Sequence, residues 1–189
     1  LVLQNIFTMG SINIINDIFD YELDKIIFPN RPLTSGRMSY YNAAIYYIIT
    51  IIISIYISYN IDIYNLYLNL LVIFLGFIYT PILKYLHFLT KNGCVGFVGI
   101  SYLISCTKNI QLLPIYIPIW LFIDCFNYEV YKDIRDIDAD KKYKCYTIPV
   151  IYGDKIAIYI AWLNYIFSSF IILFYNYRIG IPLFFIRVF

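Results

Sequence analysis

The sequence has little charge. Asp, Glu, Lys and Arg together make up 14% of the 189 residues, whereas hydrophobic residues make up 61%. A soluble domain of this size does not bury so large an apolar fraction, so the lipid bilayer is the expected solvent. The net charge of +2 is nearly neutral, and nucleic-acid binding depends on an excess of basic side chains. We therefore expect membrane lipid, and no nucleic acid, around this protein.

The sequence is also poor in the side chains that build zinc and redox sites. His87 is its single histidine, and its four cysteines are far apart, with no CxxC pair. A zinc site needs several His or Cys ligands, which one histidine cannot supply, and a dithiol centre needs paired cysteines, so a metal or redox role of the cysteines is the less favoured interpretation. The cysteines are interpreted as small apolar residues.

Long apolar runs predict an all-α, polytopic bundle of transmembrane helices. Each run is close to the ~20 residues that an α-helix needs to cross a bilayer. The full runs cover 40–59, 63–80, 110–128 and 155–176, and a shorter one covers 93–107, with the end of one helix at 1–16 and the start of another at 179–189. Gly93, Gly96 and Gly99 predict close approach between helices. We expect a single membrane-embedded domain over 1–189 that is incomplete at both ends, since the sequence starts at Leu1 rather than at methionine.

Nine of the twelve acidic residues fall in two windows with the same spacing. The first window contains Asn13, Asp17, Asp20 and Asp24, and the second contains Glu129, Asp133, Asp136 and Asp140. On an α-helix this spacing places the side chains on one stripe. Charge near a membrane is costly, and oxygen ligands suit Mg²⁺ bound to a diphosphate. Two facing helix ends are therefore predicted to hold a diphosphate–Mg²⁺ cluster, the alternative being solvated helix ends.

Basic residues are concentrated in three connections, those after the first, third and fifth helices. These connections hold eleven of the fourteen Lys and Arg residues, and the others are Lys108, Arg178 and Arg187. The positive-inside rule places both acidic stripes on the cytoplasmic side. Arg31 and Lys84 are candidates for binding a leaving diphosphate, although cations here can also serve only to set topology. For Lys25, Arg37, Lys91 and Lys132, the residues alone favour the interpretation that the charge only sets topology.

Four motifs together resemble the UbiA superfamily of intramembrane prenyltransferases. Asn16-Asp17-x-x-Asp20-x-x-x-Asp24 is similar to its first aspartate-rich motif, and Pro29-Asn30-Arg31-Pro32 with Ser35-Gly36 is similar to the loop that follows. Tyr79-Thr-Pro-Ile-Leu-Lys84 resembles the end of its fourth helix, and Lys132-Asp133-Ile-Arg-Asp136-Ile-Asp-Ala-Asp140 resembles its second motif. Thr147-Ile-Pro149 and Gly153 continue the second match. The resemblance implies about seven helices of a nine-helix bundle.

The resemblance also implies roles for individual residues. As Mg²⁺ ligands it implies Asn16, Asp20, Asp24, Asp136 and Asp140. As substrate-binding residues it implies Asn16, Asp17, Arg31, Lys84, Lys132 and Asp133. The catalytic set is Asp20, Asp24, Asp136, Asp140, Arg31 and Lys84. The implied reaction is ionisation of a prenyl diphosphate polarised by Mg²⁺, followed by attack of an acceptor.

Within the family, the form of both motifs most resembles an archaeal branch. That branch transfers a geranylgeranyl group to geranylgeranylglyceryl phosphate during ether-lipid synthesis. An aromatic acceptor, as in quinone or chlorophyll-type biosynthesis, stays open as an alternative. A divalent-cation transporter is a more remote one, because inward carboxylates in helices can also mark an ion path. Hydropathy excludes a soluble prenyl-diphosphate synthase.

Overall fold

Two compact units make up the chain, Leu1–Tyr85 and Leu86–Phe189. The computed structural model describes residues 1–106 and 113–175, and these residues contain helices but no strand. The helices of the first unit are α1 (Val2–Phe19), α2 (Tyr21–Ile27), α3 (Tyr40–Ile61) and α4 (Ile63–Ile78), followed by a π-helical turn (Tyr79–Leu83) and the short α5 (Lys84–Leu86). The all-α prediction is thus confirmed.

The second unit contains the remaining helices. They are α6 (Phe88–Cys106), α7 (Tyr116–Arg135), α8 (Ile137–Lys142), α9 (Ile148–Tyr152) and α10 (Asp154–Tyr175). The beginning of the span predicted at 110–128 and the fragment predicted at 179–189 lie outside the described residues, as do Lys108, Arg178 and Arg187.

Side-chain caps set the start of α3 and of α4. Ser39 Oγ accepts from the backbone N–H of Asn42 at 3.2 Å, and Asp62 Oδ1 accepts from that of Asn65 at 2.7 Å. Each bond satisfies a backbone donor that the first turn of a helix leaves unpaired. Asp62 is extended, with φ −171° and ψ 165°, so one residue is enough to end α3 and begin α4.

The burial pattern of α3 is the reverse of that in a soluble protein. Ser54 and Ser58 are fully buried, whereas Ile52, Tyr56 and Tyr59 are more than half exposed. Such a helix is stable where its surroundings are apolar, because the exposed side chains then meet lipid rather than water. By length and composition, three helical segments in the described part of the chain are apolar enough to cross a membrane: Tyr40–Ile61, Ile63–Leu86 and Asp154–Phe174. The other predicted spans, on α1, α6 and α7, are of similar length but richer in polar residues.

A buried hydrogen-bond network joins the first unit's long helices. Thr8 Oγ1 on α1 lies 2.6 Å from Ser54 Oγ on α3 and donates to Asn69 Oδ1 on α4 at 2.7 Å. Asn69 Nδ2 donates to Ser54 Oγ at 2.8 Å and to Ser58 Oγ at 3.0 Å. Polar side chains of this kind hold membrane helices together, since lipid offers them no partner.

Small residues bring helices close together within each unit. A Cβ on Gly76 of α4 would clash with Ile12 of α1. In the second unit, a Cβ on Gly96 would lie 2.5 Å from Phe122, and one on Gly99 would lie 2.6 Å from Cys125 Sγ. The predicted close approach is therefore found at Gly96 and Gly99 on α6, which pack against α7. It is wrong at Gly93, where nothing lies within 4 Å of an added Cβ.

The core of the second unit forms between α7, α9 and α10. Val130, Ile148, Ala157 and Ala161 are fully buried or nearly so and pack together. Asn127 Nδ2 donates to the backbone carbonyl of Ala161 at 3.0 Å. These contacts fix the C-terminal half of α7, which carries the second acidic stripe.

Candidate active site

Both acidic stripes are interrupted at the same place in their spacing. α1 ends before Asp20, which has φ −86° and ψ 9°, and α7 ends before Asp136, which has φ −99° and ψ 11°. These dihedral angles lie in the bridge region, outside the helical range. The backbone N–H of Asp20 still donates to Asn16 at 2.8 Å, and that of Asp136 donates to Lys132 at 3.0 Å. Each stripe therefore bends at its third position, Asp20 in the first and Asp136 in the second, whereas the spacing predicts an uninterrupted helix.

Arg31 joins two carboxylates of the first stripe. Its Nη1 donates to Asp17 Oδ1 at 2.7 Å and to Asp24 Oδ2 at 2.6 Å. Asp24 is 3% exposed, and the Arg31 side chain is 38% exposed. One guanidinium thus links the last turn of α1 to α2 across the bend at Asp20.

The loop after α2 is ordered by hydrogen bonds that place Arg31. Thr34 Oγ1 donates to the Phe28 carbonyl at 2.8 Å, and the Arg31 backbone N–H donates to the same carbonyl at 3.1 Å. The Arg31 guanidinium lies over the Phe28 ring, 4.2 Å from its centroid, a favourable cation–π contact. Gly36 has φ +76°, a conformation that side-chain-bearing residues rarely adopt.

Lys84 supplies the second cation of this cluster. Its Nζ donates to Asp20 Oδ1 at 2.9 Å, and both side chains are largely buried. The π-helical turn with Pro81 directly precedes Lys84 and also contains Thr80. Thr80 Oγ1 donates to Asn16 Oδ1 at 2.9 Å. The turn therefore brings Thr80 and Lys84 to the same face of α1.

Burial controls the electrostatics of the first stripe. It raises the pKa of Asp24 to about 6, because desolvation outweighs the opposing effect of Arg31. The neighbouring carboxylates of Asp20 and Asp17 raise the Asp24 pKa further. Crowded carboxylates of this kind are stabilised by added positive charge, which Arg31 and Lys84 supply in part.

In the second unit, Lys91 is the central cation. Its Nζ contacts Asp133 Oδ1 and lies 3.6 Å from Glu129 Oε2. Lys91, Glu129 and Asp133 are at most 4% exposed. Burial raises the pKa of Asp133 to about 6, with Lys91 opposing the shift. Burial would lower the pKa of Lys91, but the carboxylates of Asp133 and Glu129 outweigh burial and raise it.

The other basic residues of α7 also pair with the stripe. Lys132 Nζ donates to Glu129 Oε1 at 2.8 Å. Arg135 donates to both oxygens of Asp136, from Nε at 2.7 Å and from Nη2 at 2.8 Å. Asp140, the last member of the stripe, is 3% exposed.

In the first unit these contacts place the six predicted site residues in three groups: Arg31 with Asp17 and Asp24, Lys84 with Asp20, and Asn16 with Thr80. In the second unit, the partners of the predicted residues include side chains to which sequence reasoning gave no site role. Lys91 was interpreted as a topology-setting charge, and Glu129 and Arg135 were not among the site residues. No signal in the sequence sets Lys91 apart from the other basic residues of the connections.

The carboxylate oxygens of both stripes are chemically suitable ligands for Mg²⁺. Within residues 1–106 and 113–175, no three His, Cys, Asp or Glu side chains form a group that could hold a metal ion. Mg²⁺ does not require such a group, because it keeps several waters and binds substrate phosphates through one or two carboxylates. Asp133 Oδ2 is buried without a hydrogen-bond partner among the described residues, so one acceptor in the second stripe is left for a cation or donor.

A comparison with protein families decides the classification. The UbiA prenyltransferase family model matches residues 1–189. The chain belongs to the UbiA prenyltransferase family. This confirms the relationship that the aspartate-rich motifs, the Asn30-Arg31-Pro32 loop and the Lys84 segment predicted.

Two relatives within the UbiA family have the same name, digeranylgeranylglyceryl phosphate synthase. The protein from Methanosphaera stadtmanae is 37% identical over 155 residues, which cover 80% of this chain and 56% of the relative. The protein from Pyrococcus furiosus is 34% identical over 156 residues, covering 79% of this chain and 54% of the relative. The chain thus spans about half the length of these curated relatives.

Solved UbiA structures share the fold. A homologue from Archaeoglobus fulgidus bound to DMAPP and Mg²⁺ has a TM-score of 0.81 at 17% identity, covering 99% of this chain and 71% of that chain. A structure described as a digeranylgeranylglyceryl phosphate synthase in membranes has a TM-score of 0.67 at 24% identity, covering 98% and 71%. At these identities the similarity establishes the intramembrane helical fold.

Proposed function

We propose that this chain is the catalytic part of a Mg²⁺-dependent prenyltransferase that transfers a geranylgeranyl group from its diphosphate to geranylgeranylglyceryl phosphate. The observation that carries the proposal is the direct pairing of Asp20 with Lys84 and of Asp24 with Arg31. Carboxylates for a hard metal ion and cations for phosphate oxygens are the two components of a metal–diphosphate site. The names of the two archaeal relatives support the choice of acceptor.

The residues that would hold Mg²⁺ are Asn16, Asp20 and Asp24 of the first motif and Asp136 and Asp140 of the second. When bound, Mg²⁺ supplies Lewis-acid stabilisation of the charge on the departing diphosphate. The carboxylates supply hard oxygen ligands, and Arg31, Lys84 and Arg135 form ion pairs with Asp24, Asp20 and Asp136 respectively.

Arg31 and Lys84 have different tasks in the proposed reaction. The planar guanidinium of Arg31 can bind two phosphate oxygens at once, whereas Lys84 offers a compact charge. As the allylic C–O bond breaks, its electron pair moves to the diphosphate oxygen, so both cations stabilise the transition state more than the bound substrate. The acceptor hydroxyl oxygen then forms the new C–O bond and transfers its proton to the released diphosphate.

Asp17, Lys132 and Asp133 have supporting roles in this proposal. Asp17 accepts from the same Arg31 Nη1 as Asp24, and so helps to orient the guanidinium. Lys132, on the exposed side of Glu129, is available to a phosphate group of either substrate. Asp133 offers its Oδ2 oxygen for substrate binding. This oxygen has no hydrogen-bond partner among the described residues.

The test is an acceptor panel. Membranes containing the full-length protein are incubated with labelled geranylgeranyl diphosphate and either geranylgeranylglyceryl phosphate or aromatic acceptors, and products are identified by mass spectrometry. We expect a Mg²⁺-dependent diether product from the glyceryl phosphate. Product from an aromatic acceptor alone would favour quinone-type biosynthesis. No prenylated product together with Mg²⁺ flux into vesicles would favour a transporter.

We also propose that both motifs face the cytoplasm of a multi-pass membrane protein. The support is the charge of the connection after α2, which holds Arg31 and Arg37, and of the segment after α8, which holds Lys144. A single cysteine introduced at Lys144, which is exposed, should react with an impermeant maleimide only after the cells are opened. Labelling in intact cells would contradict this orientation.

A further inference from the structure

The second unit contains a buried lysine to which the proposed reaction gives no task. Lys91, near the start of α6, is 4% exposed and contacts Asp133 of α7. It also lies 3.6 Å from Glu129, one turn earlier on α7. An ammonium group removed from water in this way is costly unless nearby charges compensate it.

The charges around Lys91 nearly balance. Glu129 and Asp133 carry two negative charges, and Lys91 and Lys132 carry two positive ones, with Lys132 bonded to Glu129. The carboxylate of Asp140, on α8, adds to the electrostatic field at Lys91. The ammonium of Lys91 therefore acts on acidic residues from both sides of the bend at Asp136.

We propose that Lys91 is the positioning residue of the second aspartate motif. It engages Asp133 Oδ1 and Glu129 and so weakens their competition with Asp136 and Asp140 for the metal ion that the second motif would bind. This inference rests on the proposed function for its effect on turnover, but its effect on metal binding is independent of any prenyl substrate.

Removal of the Lys91 charge should change the metal affinity in a definite direction. In Lys91→Met the side chain keeps a similar length and loses the ammonium, so the net charge of the group formed by residue 91, Glu129, Lys132 and Asp133 falls by one. A divalent cation gains more from this loss of positive charge than a proton does, because it carries twice the charge. Mn²⁺ in place of Mg²⁺ should therefore bind more tightly to the substrate-free variant, by about 10-fold. Because Mn²⁺ then binds at displaced ligands, kcat should fall by about 10²-fold with little change in KM.

A second-site variant restores the charge balance. Lys91→Met/Glu129→Gln again leaves one positive and one negative group, Lys132 and Asp133, and keeps Asp136 and Asp140 intact. We expect Mn²⁺ affinity to return to within about 3-fold of wild type and kcat to recover by at least about 10-fold. Lys91→Arg keeps the charge and should lie closer to wild type than Lys91→Met. Lys155→Met, an exposed lysine of the same unit, is the matched control and should change neither quantity.

The experiment measures Mn²⁺ binding by electron paramagnetic resonance on full-length protein in nanodiscs, together with prenyl-transfer kinetics on the same samples. Tighter Mn²⁺ binding in Lys91→Met, reversed by Glu129→Gln, supports the proposal. Unchanged Mn²⁺ affinity per folded protein in Lys91→Met would overturn it and leave Lys91 a purely structural cation. Recovered metal affinity without recovered kcat in the double variant would also overturn it, because it indicates direct contact of Lys91 with the diphosphate.

Two further outcomes can be distinguished from a failure of the proposal: a variant that does not fold, and a wild-type protein without transferase activity. If Lys91→Met does not fold, the double variant decides: Mn²⁺ affinity within about 3-fold of wild type supports the proposal, and an affinity weaker by more than about 10-fold overturns it. If wild-type protein transfers no prenyl group, the proposed function fails, while the Mn²⁺ measurements still test Lys91.

Discussion

Lys84 Nζ donates to Asp20 Oδ1 at 2.9 Å, although the two residues are 64 positions apart in the sequence. Both are predicted to serve the same diphosphate, Asp20 through a metal ion and Lys84 directly. Their contact depends on the bend after α1 and on the π-helical turn before Lys84. The pair thus shows how two irregular backbone segments place complementary charges together.

Loss of the Lys84 ammonium should lower turnover. In Lys84→Met the departing diphosphate loses one compensating charge, and we expect kcat to fall by about 10²-fold. Steady-state kinetics with geranylgeranyl diphosphate, at saturating Mg²⁺, would measure this. Lys155→Met is the control for removing a lysine from the surface, and an equal loss in both variants would count against the proposed role.

Arg31 should be sensitive to geometry as well as to charge. Arg31→Ala removes the contacts to Asp17 and Asp24 together with the bidentate phosphate donor, so we expect kcat to fall by about 10²-fold. Arg31→Lys keeps the charge but not the planar fork, and should recover only part of this loss. Full recovery by lysine would show that Arg31 acts as charge alone. Arg37→Lys, the same conservative change at another position of the loop, is the matched control.

The carboxylates should matter more than the cations. Asp20→Ala and Asp136→Ala each remove a proposed Mg²⁺ ligand, and a loss of about 10³-fold or more in kcat is expected. Asp138→Ala, which removes a carboxylate outside the stripe, should have a small effect. Near-normal turnover in either stripe variant, with the protein still folded, would reject that residue as a metal ligand.

The polar network of the first unit should stabilise the fold without taking part in chemistry. Asn69→Leu removes an amide that bonds to Thr8, Ser54 and Ser58, and should lower the free energy of unfolding by about 1–2 kcal/mol. Asn60→Leu, on the exposed side of α3, is the control, since Asn60 bonds only to the Tyr56 carbonyl of its own helix among the contacts described. Unfolding in mixed micelles measures both, and equal losses would contradict the importance of the network.

Periodicity and spacing predicted the helices and the first motif well, because those features are local. The sequence predicts Asp20, Asp24, Arg31 and Lys84 as site residues, and the structure pairs Arg31 with Asp24 and Lys84 with Asp20. Spacing alone leaves the function of these residues open, since solvated helix ends would show a similar charge pattern, and the family match favours a site there.

The sequence could not predict the burial of Lys91 or the bends at Asp20 and Asp136, and the reasons differ. The bends are departures of single dihedral angles, to which helical periodicity is insensitive. Lys91 lies 42 residues from Asp133, so its burial depends on how closely Gly96 and Gly99 let α6 approach α7. A lysine near a helix start looks the same in sequence whether it faces solvent or a buried carboxylate.

The central claim is that the carboxylates and cations of the first motif form a metal–diphosphate site. Its most direct test is the binding of inorganic diphosphate to full-length protein in nanodiscs, measured by calorimetry with Mg²⁺ and with EDTA. We predict binding that requires Mg²⁺ and that weakens by at least about 10-fold in both Asp20→Ala and Lys84→Met. Diphosphate binding that persists in EDTA, or that is unchanged in both variants, would contradict the account.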